Sequence, residues 1–243
     1  MVETAFRCHS IMIIDLYVHT SRGSGDSSLS PQELVVEARR IGLEGSCLTE
    51  HGGPWDPYEF RKFASQQEGF LLVPALEVET EVGHITVFGL NKYVGAIANP
   101  KELRQVANAS GAYVVLAHPF RNMFHKIPFS PNLLFKEVAR YPATAEEALE
   151  HPVFQLVDAI EVANGGNTDE ENAFAWEVAH RLGKPMVGGS DAHSSNGVGR
   201  CVTVFPEPLS SPEQFLEALH AGQFFPAIGL NVGNLRPFAN GTH

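Results

Sequence analysis

The chain has 243 residues, 44% hydrophobic and 19% charged, and its 17 basic against 28 acidic side chains leave a formal charge of −11 at pH 7. That balance argues against a broad footprint for nucleic acid and in favour of a small-molecule partner, while no run approaches the ~20 apolar residues of a membrane helix. Three cysteines without a C-x-x-C pair support neither a disulfide framework nor a thiolate zinc site, whereas eleven histidines are a surplus of a side chain that often binds metal.

The first ten residues lack the apolar segment of a signal peptide, so the chain is expected to be cytoplasmic, with residues 1–11 as an extension ahead of the fold. The first strand is expected at 11–18 (IMIIDLYV). After a Gly/Ser-rich loop, Ser30, Pro31 and Glu33 combine an N-cap, an N1 proline and a capping-box acid, which predicts a helix ending at Gly42. A short strand at 45–48, a helix near 58–67 and a strand at 70–78 follow. A turn at Glu81-Val82-Gly83 leads into a strand at 84–90. The second half repeats the alternation, with a helix at 100–109, a strand at 112–117 and an irregular Pro-rich insert over about 121–152. A strand at 158–162, a helix at 169–182 and strands at 185–189 and 201–205 come next, then a capped helix from Ser211-Pro212 to Gly222. Strands alternating with helices predict an α/β fold on a mainly parallel sheet, in one domain over 12–229 with a tail at 230–243.

Polar, metal-competent residues gather where strands end: Asp15, Tyr17, His19, Asp26, Glu50, His51, Glu77, His84, His118, Glu161, Asp191 and His193. In a parallel sheet such positions open into one mouth. Imidazole and carboxylate without thiolate suit Zn, Mn or Fe. Taken singly, each has a plainer explanation. His84 reads as a hydrogen-bonded residue after a glycine turn, Glu77 as part of an acidic edge with Glu79 and Glu81, and Ser190 and Asp191 as helix-capping chemistry. Their recurrence at several independent strand ends has no capping or packing explanation, and it points to a metal site. His9, His125, His151, His180, His220 and His243 fall in helices, the insert or the termini and are expected on the surface.

Five motifs in this order resemble the PHP (polymerase and histidinol phosphatase) family over about residues 12–229. They are Asp15-Leu16-Tyr17-Val18-His19-Thr20, Thr49-Glu50-His51, Glu77 with His84, Ala117-His118-Pro119 and Ser190-Asp191-Ala192-His193. The resemblance implies a distorted seven-stranded (β/α) barrel holding two or three divalent transition-metal ions. His19, Glu77 and Asp191 would hold one ion. Glu77 would bridge to a second completed by His84 and His118, and His51, His193 and Asp26 would hold a third. Two positions depart from the pattern: Tyr17 stands where the family has a histidine, and Glu50 where it has an aspartate. A phenol with an ordinary pKa of about 10 is a poor ligand, which leaves the first position weakened, rebuilt with a phenolate, or empty.

The chemistry expected is hydrolysis of a phosphate ester of a small metabolite, a monoester in the first instance, by a hydroxide bridging two ions. Asp191 is expected as ligand and proton acceptor, and Arg22, Arg121 and Arg200 as candidate phosphate contacts. Glu161 and Asn164 would orient ligands or substrate. Alternatives are metal-assisted hydrolysis of a cyclic phosphodiester, nucleotide or amide-like substrate, and a non-catalytic metal-binding accessory module in which Tyr17 marks a lost activity.

Overall fold

A computed structural model describes residues 11–239 apart from 52, 91, 93, 94, 126 and 128, so His9, His243 and Cys8 lie outside the described residues. In chain order the elements are β1 (Met12–Val18), α1 (Pro31–Ile41), β2 (Gly45–Glu50), α2 (Pro57–Ala64), β3 (Leu71–Thr80), β4 (Gly83–Phe88), α3 (Pro100–Ser110) and β5 (Tyr113–Leu116). They continue with the single turn α4 (Ala145–Ala148), β6 (Ala159–Asn164), α5 (Asp169–Leu182), β7 (Met186–Gly189), β8 (Cys201–Phe205), α6 (Pro212–Ala221), β9 (Phe225–Ile228) and β10 (Arg236–Pro237).

The helices begin and end where local chemistry directs. Ser30 caps α1 in a full capping box with Glu33, and Gly42 closes it in the left-handed region; Thr168, Glu171 and Gly183 do the same for α5. Asn99 and Ser211 cap α3 and α6, each followed by proline. The second helix starts one residue before the expected span and stops at Ala64, because its only strongly buried side chain is Phe60 and nothing further holds an apolar face.

All ten strands form one sheet in the order β10-β9-β8-β1-β2-β3-β4-β5-β6-β7. This corrects the expected count of seven: β8, β9 and β10 continue the sheet beyond β1. It also corrects the mainly parallel sheet, since only β1–β2, β2–β3, β5–β6 and β6–β7 pair in parallel. The strand β4 runs against both neighbours, and the strands beyond β1 are antiparallel. Pro226 hid β9 from the sequence, because a proline inside a short apolar run counts against a strand.

The sheet curls until the end of β1 meets the segment after β7. Asp191 N–H donates to Tyr17 O at 2.7 Å, His19 N–H donates to Ala192 O at 3.0 Å, and Val18 pairs with Ala192 as an isolated parallel bridge. Side chains sort by the period of two along each strand. Met12, Ile14 and Leu16 join Val73, Ala75, Phe88, Tyr113, Val115, Ala159 and Val187 in an inner core, which Phe215 and Leu219 of α6 plug. Ile13 and Val18 face outward to α1 and α2, and Val114, Leu116, Ile160 and Val162 face outward to α3 and α5.

Candidate metal centre

Followed toward the carboxyl ends of the parallel strands, the same inner face changes character. On β3 the inward series Val73, Ala75 continues to Glu77, and on β6 Ala159 continues to Glu161. Because β4 is antiparallel, its start lies at this mouth, and His84 sits diagonal to Glu77: Glu77 pairs with Thr86 and His84 with Glu79. His19 and His51 directly follow β1 and β2, His118 follows β5, and Asp191 and His193 follow β7. A register shift in β1 between Asp15 and Val18, and another in β6 between Glu161 and Ala163, rotate side chains at the rim.

Glu77 is the centre of the cluster. One carboxylate oxygen, Oε2, lies 2.9 Å from His51 Nδ1 and 3.3 Å from His19 Nε2; the other, Oε1, contacts His84 Nδ1 and lies 3.7 Å from His118 Nε2. His19 Nε2 is also 3.2 Å from Asp191 Oδ1. Asp26 Oδ2 spans His51 Nε2 at 3.4 Å and His193 Nε2 at 3.3 Å, with its own side chain 59% exposed. Ligand atoms of His19, His51 and His193 lie within 4.8 Å of one another, as do those of Glu77, His84 and His118. The geometry thus brings together all eight expected ligands. It groups His19 with His51 and His193 as well as with Glu77 and Asp191.

Four atoms test whether ions fit here. His19 Nε2, both oxygens of Glu77 and His84 Nδ1 are buried and have no hydrogen bond of acceptable geometry. Buried polar atoms in native proteins are almost always satisfied. Lone pairs that converge without pairing with each other form a donor set for divalent ions, and its nitrogen and oxygen composition suits Zn, Mn or Fe.

Charge is redistributed to match. Burial opposes ionisation of Glu77, but the close imidazoles of His118, His51 and His84 hold its carboxyl well below the usual range. The contact with Glu77 lifts His51 to about 9. Burial, then the charge of Arg121, pushes His118 down to about 4, which leaves a neutral imidazole suited to ligation. Burial raises Asp191, yet the close imidazole of His19 and the guanidinium of Arg121 outweigh it and keep the carboxylate ionised.

Around this shell lies a set of positioning contacts. Glu50 is fully buried and accepts from Thr20 N–H and Oγ1, Ser24 Oγ and Trp55 Nε1, so it anchors the loop after β1 and does not face the cluster as a ligand. Ser24, which motif reading passes over, lies 3.1 Å from His19 Nδ1 and accepts from the His51 N–H. Only the Gly/Ser-rich composition of its loop signals it. Glu161 accepts from His118 N–H and Asn164 Nδ2, and burial followed by the charge of Asp191 pushes its carboxyl well up. Asp15 accepts from the backbone of Tyr17, Ser190 and Gly199, and so ties β1 to the segments on either side of Asp191–His193.

Tyr17 is 1% exposed and its Oη lies 3.2 Å from His118 Nε2. Burial, together with the charges of Glu77, Asp191 and Glu161, holds it well above the ordinary phenol value. The three arginines separate. Arg121 is held by Asp191 Oδ2 at 2.6 Å, Asn164 Oδ1 at 2.7 Å and Asn167 Oδ1 at 2.9 Å. Arg22 pairs with Glu59 over Trp55, and Arg200 is exposed with Nη1 3.4 Å from Gly165 O.

Backbone strain gathers here as well. Of the five non-glycine residues with positive φ among the described residues, His118, Asn122, Phe129 and Asp191 belong to this site or its border. The remaining histidines behave as background: His125, His180 and His220 are exposed, and His151 is half-buried. Among the described residues no helix is long and apolar enough to cross a membrane.

Residues 169–224 match the model of a PHP-associated family. A two-domain protein from Bacteroides vulgatus containing a predicted PHP-like metal-dependent phosphoesterase superposes with a TM-score of 0.60 at 20% identity, covering 90% of this chain and 65% of that one. Endonuclease Q, solved with a 27-mer duplex carrying an abasic lesion, gives 0.57 at 17% identity over 87% of this chain and 57% of its own. An amidohydrolase from Chromobacterium violaceum, with bound sulfate and no metal, gives 0.57 at 16% identity over 85% and 96%. The chain therefore spans about two thirds or less of the first two. No curated protein matches it.

Proposed function

We propose that the chain is a PHP-type metal-dependent phosphoesterase acting on the monoester of a small molecule, a reading supported by its PHP-associated segment and by its likeness in fold to a protein containing a predicted PHP-like metal-dependent phosphoesterase. The observation that carries this reading is the set of four buried, unpaired ligand atoms on His19, Glu77 and His84. Ions bound there would supply a nucleophile at neutral pH and neutralise charge on the ester oxygens.

The chain's own residues do the rest. His19, His51, His193, Asp26 and Asp191 hold one side of the cluster, Glu77 lies between, and His84 and His118 hold the other. Arg121 fixes Asp191 through its Nη2, and its other contacts to Asn164 and Asn167 keep the guanidinium plane at the rim, where a planar donor fork suits a phosphate oxygen. Arg200 stands within reach of the solvent and serves an incoming anion by charge. Glu161, through the His118 backbone and Asn164, orients the histidine that follows β5. The formal charge of −11 disfavours a polymeric nucleic acid, and the likeness in fold to endonuclease Q makes lesion-bearing DNA the control substrate.

The test combines metal content with turnover. Protein grown with Mn, Fe and Zn should carry at least two ions per chain by elemental analysis, and should hydrolyse some member of a phosphomonoester panel. Glu77→Ala and His193→Ala should each lower the rate by roughly 100-fold or more, as loss of metal-site groups does. A folded protein without bound metal, or turnover that survives both substitutions, would sink the reading.

A further inference from the structure

A cavity of about 300 Å³ opens directly beside His84 and His118, on the side of the cluster away from Asp26. Its walls are Val82, Leu116, Pro119, Phe129, Pro131 and Leu133, contributed by the β3–β4 turn, the end of β5 and the insert. The polar side chains bordering it beyond the cluster histidines have internal partners. Asn132 Nδ2 donates to Pro119 O and Arg121 O while its Oδ1 accepts from Phe135 N–H, and Asn122 Nδ2 donates to Ser130 Oγ. Arg121 is held by Asp191, Asn164 and Asn167. Away from His84, His118 and Arg121, which border the cluster, most of the surface left for a ligand is apolar.

Phe129 makes the cavity more than a packing gap. Its side chain is fully exposed, at 104% of the reference area, and its backbone has φ of +64°. An aromatic ring placed in water on a left-handed backbone is unfavourable on both counts and wins no packing of its own in return. Such strain persists where it positions a group for a ligand. The volume is at the lower end of the ~300–1,000 Å³ typical of ligand pockets, which suits one ring and not a dinucleotide or a polymer.

We propose that this cavity is the leaving-group subsite: the phosphoryl group sits on the cluster, and the alcohol it is esterified to carries a compact, uncharged ring that packs against Phe129 and Leu133. The inference rests on the phosphoesterase reading and narrows it to small ring-bearing phosphate esters.

The test uses the metal-loaded protein and two non-hydrolysable probes. By calorimetry, benzylphosphonate should bind about tenfold more tightly than methylphosphonate, the gain expected from one buried aromatic contact. In Phe129→Ala and in Leu133→Ala this ratio should fall toward one. Benzyl phosphate and ethyl phosphate, whose leaving alcohols are similarly acidic, should differ in the same direction in KM. Equal binding of the two phosphonates while both esters turn over would overturn the subsite and leave the phosphoesterase reading standing. A preference that survives both substitutions would also overturn it, by placing the ring elsewhere. Loss of the preference in the variants, with no member of the phosphomonoester panel hydrolysed, would leave a ring-binding site beside the cluster but overturn the phosphoesterase reading and the leaving-group role with it.

Discussion

At the scale of single residues, Tyr17 is the sharper of the two departures from the pattern this chain resembles. A histidine there would add a ligand; the phenol instead directs its Oη at His118 Nε2, the nitrogen that faces Glu77. The substitution therefore acts twice, by withholding one donor and by engaging another. Tyr17→His should raise the metal content by about one ion per chain, read by elemental analysis on protein prepared in parallel. An unchanged stoichiometry would mean that the phenol does not limit loading. Away from the site, His151 caps the short helical turn at Pro152–Gln155 through Nδ1, and burial lowers its pKa below 6.5. The unfolded chain then takes up this proton at a higher pH than the folded protein does. The stability involved is complete above about pH 6.5 and is lost as the pH falls through that value toward the folded pKa. His151→Asn keeps an acceptor for Val153 N–H and removes the titration. Between about pH 7.5 and 5.5 its urea midpoint should fall less than that of the wild type, and an equal fall would contradict the assignment.

At the scale of elements, the site depends on how closely β7 approaches β1. A Cβ on Gly189 would lie 2.4 Å from Tyr17 Cβ and 3.0 Å from Glu161 Oε1, and one on Gly188 would lie 2.6 Å from Val202 O. Glycine is required there for lack of room, with no positive φ involved. Gly189→Ala would push the end of β7 away from β1 and strain the bonds from Asp191 N–H to Tyr17 O and from His19 N–H to Ala192 O. Overpacking of this kind costs about 1–3 kcal/mol, visible as a lower denaturant midpoint. Because Asp191 and His193 ride on that segment, metal content should fall as well; a destabilised variant with full metal content would show that the closure does not position the ligands. Gly23 plays a similar part in the first loop, where a Cβ would meet the Glu50 side chain at 2.6–2.9 Å. That contact explains why the Gly/Ser composition of the loop is a packing requirement and not a sign of looseness.

At the scale of the whole molecule, the inner face of one curled sheet does two jobs. Its lower part, from Met12 to Val187 and plugged by Phe215, is an apolar core, while its upper rim collects the charged groups that such a core would exclude. Clustered imidazoles and carboxylates at the rim are costly without ions to neutralise them. Metal should therefore stabilise the fold by mass action, by about 2.7 kcal/mol at 100 times the dissociation constant. For a chain of this length that corresponds to a rise in Tm of roughly 5–10 °C on adding Mn or Zn to stripped protein. In Glu77→Gln the rise should be absent, because the residue shared by both halves of the cluster has lost its charge; a full rise in that variant would place the ions elsewhere.

Much of this was legible in the residues themselves, for identifiable reasons. Caps and prolines mark α1, α3, α5 and α6 locally, since a helix start is settled within four residues of chain. The period of two along β3 and β6 determines that Glu77 and Glu161 share a face with Val73 and Ala159. The eight expected ligands could be read as a group because each falls near the end of a strand or in the loop that adjoins it, a property of order along the chain. What only the tertiary structure decided depends on which strands become neighbours. The strand count of ten, the antiparallel course of β8 to β10, the diversion of Tyr17 onto His118 and the burial of Glu50 under Thr20 and Ser24 all follow from contacts between residues about 25 to 190 positions apart, or between strand edges. Propensity and spacing act over a few residues, whereas the curl that closes β7 onto β1 sums twist over the whole sheet. The sequence thus determined which side chains could meet a metal, and the closure of the sheet determined which of them face one another.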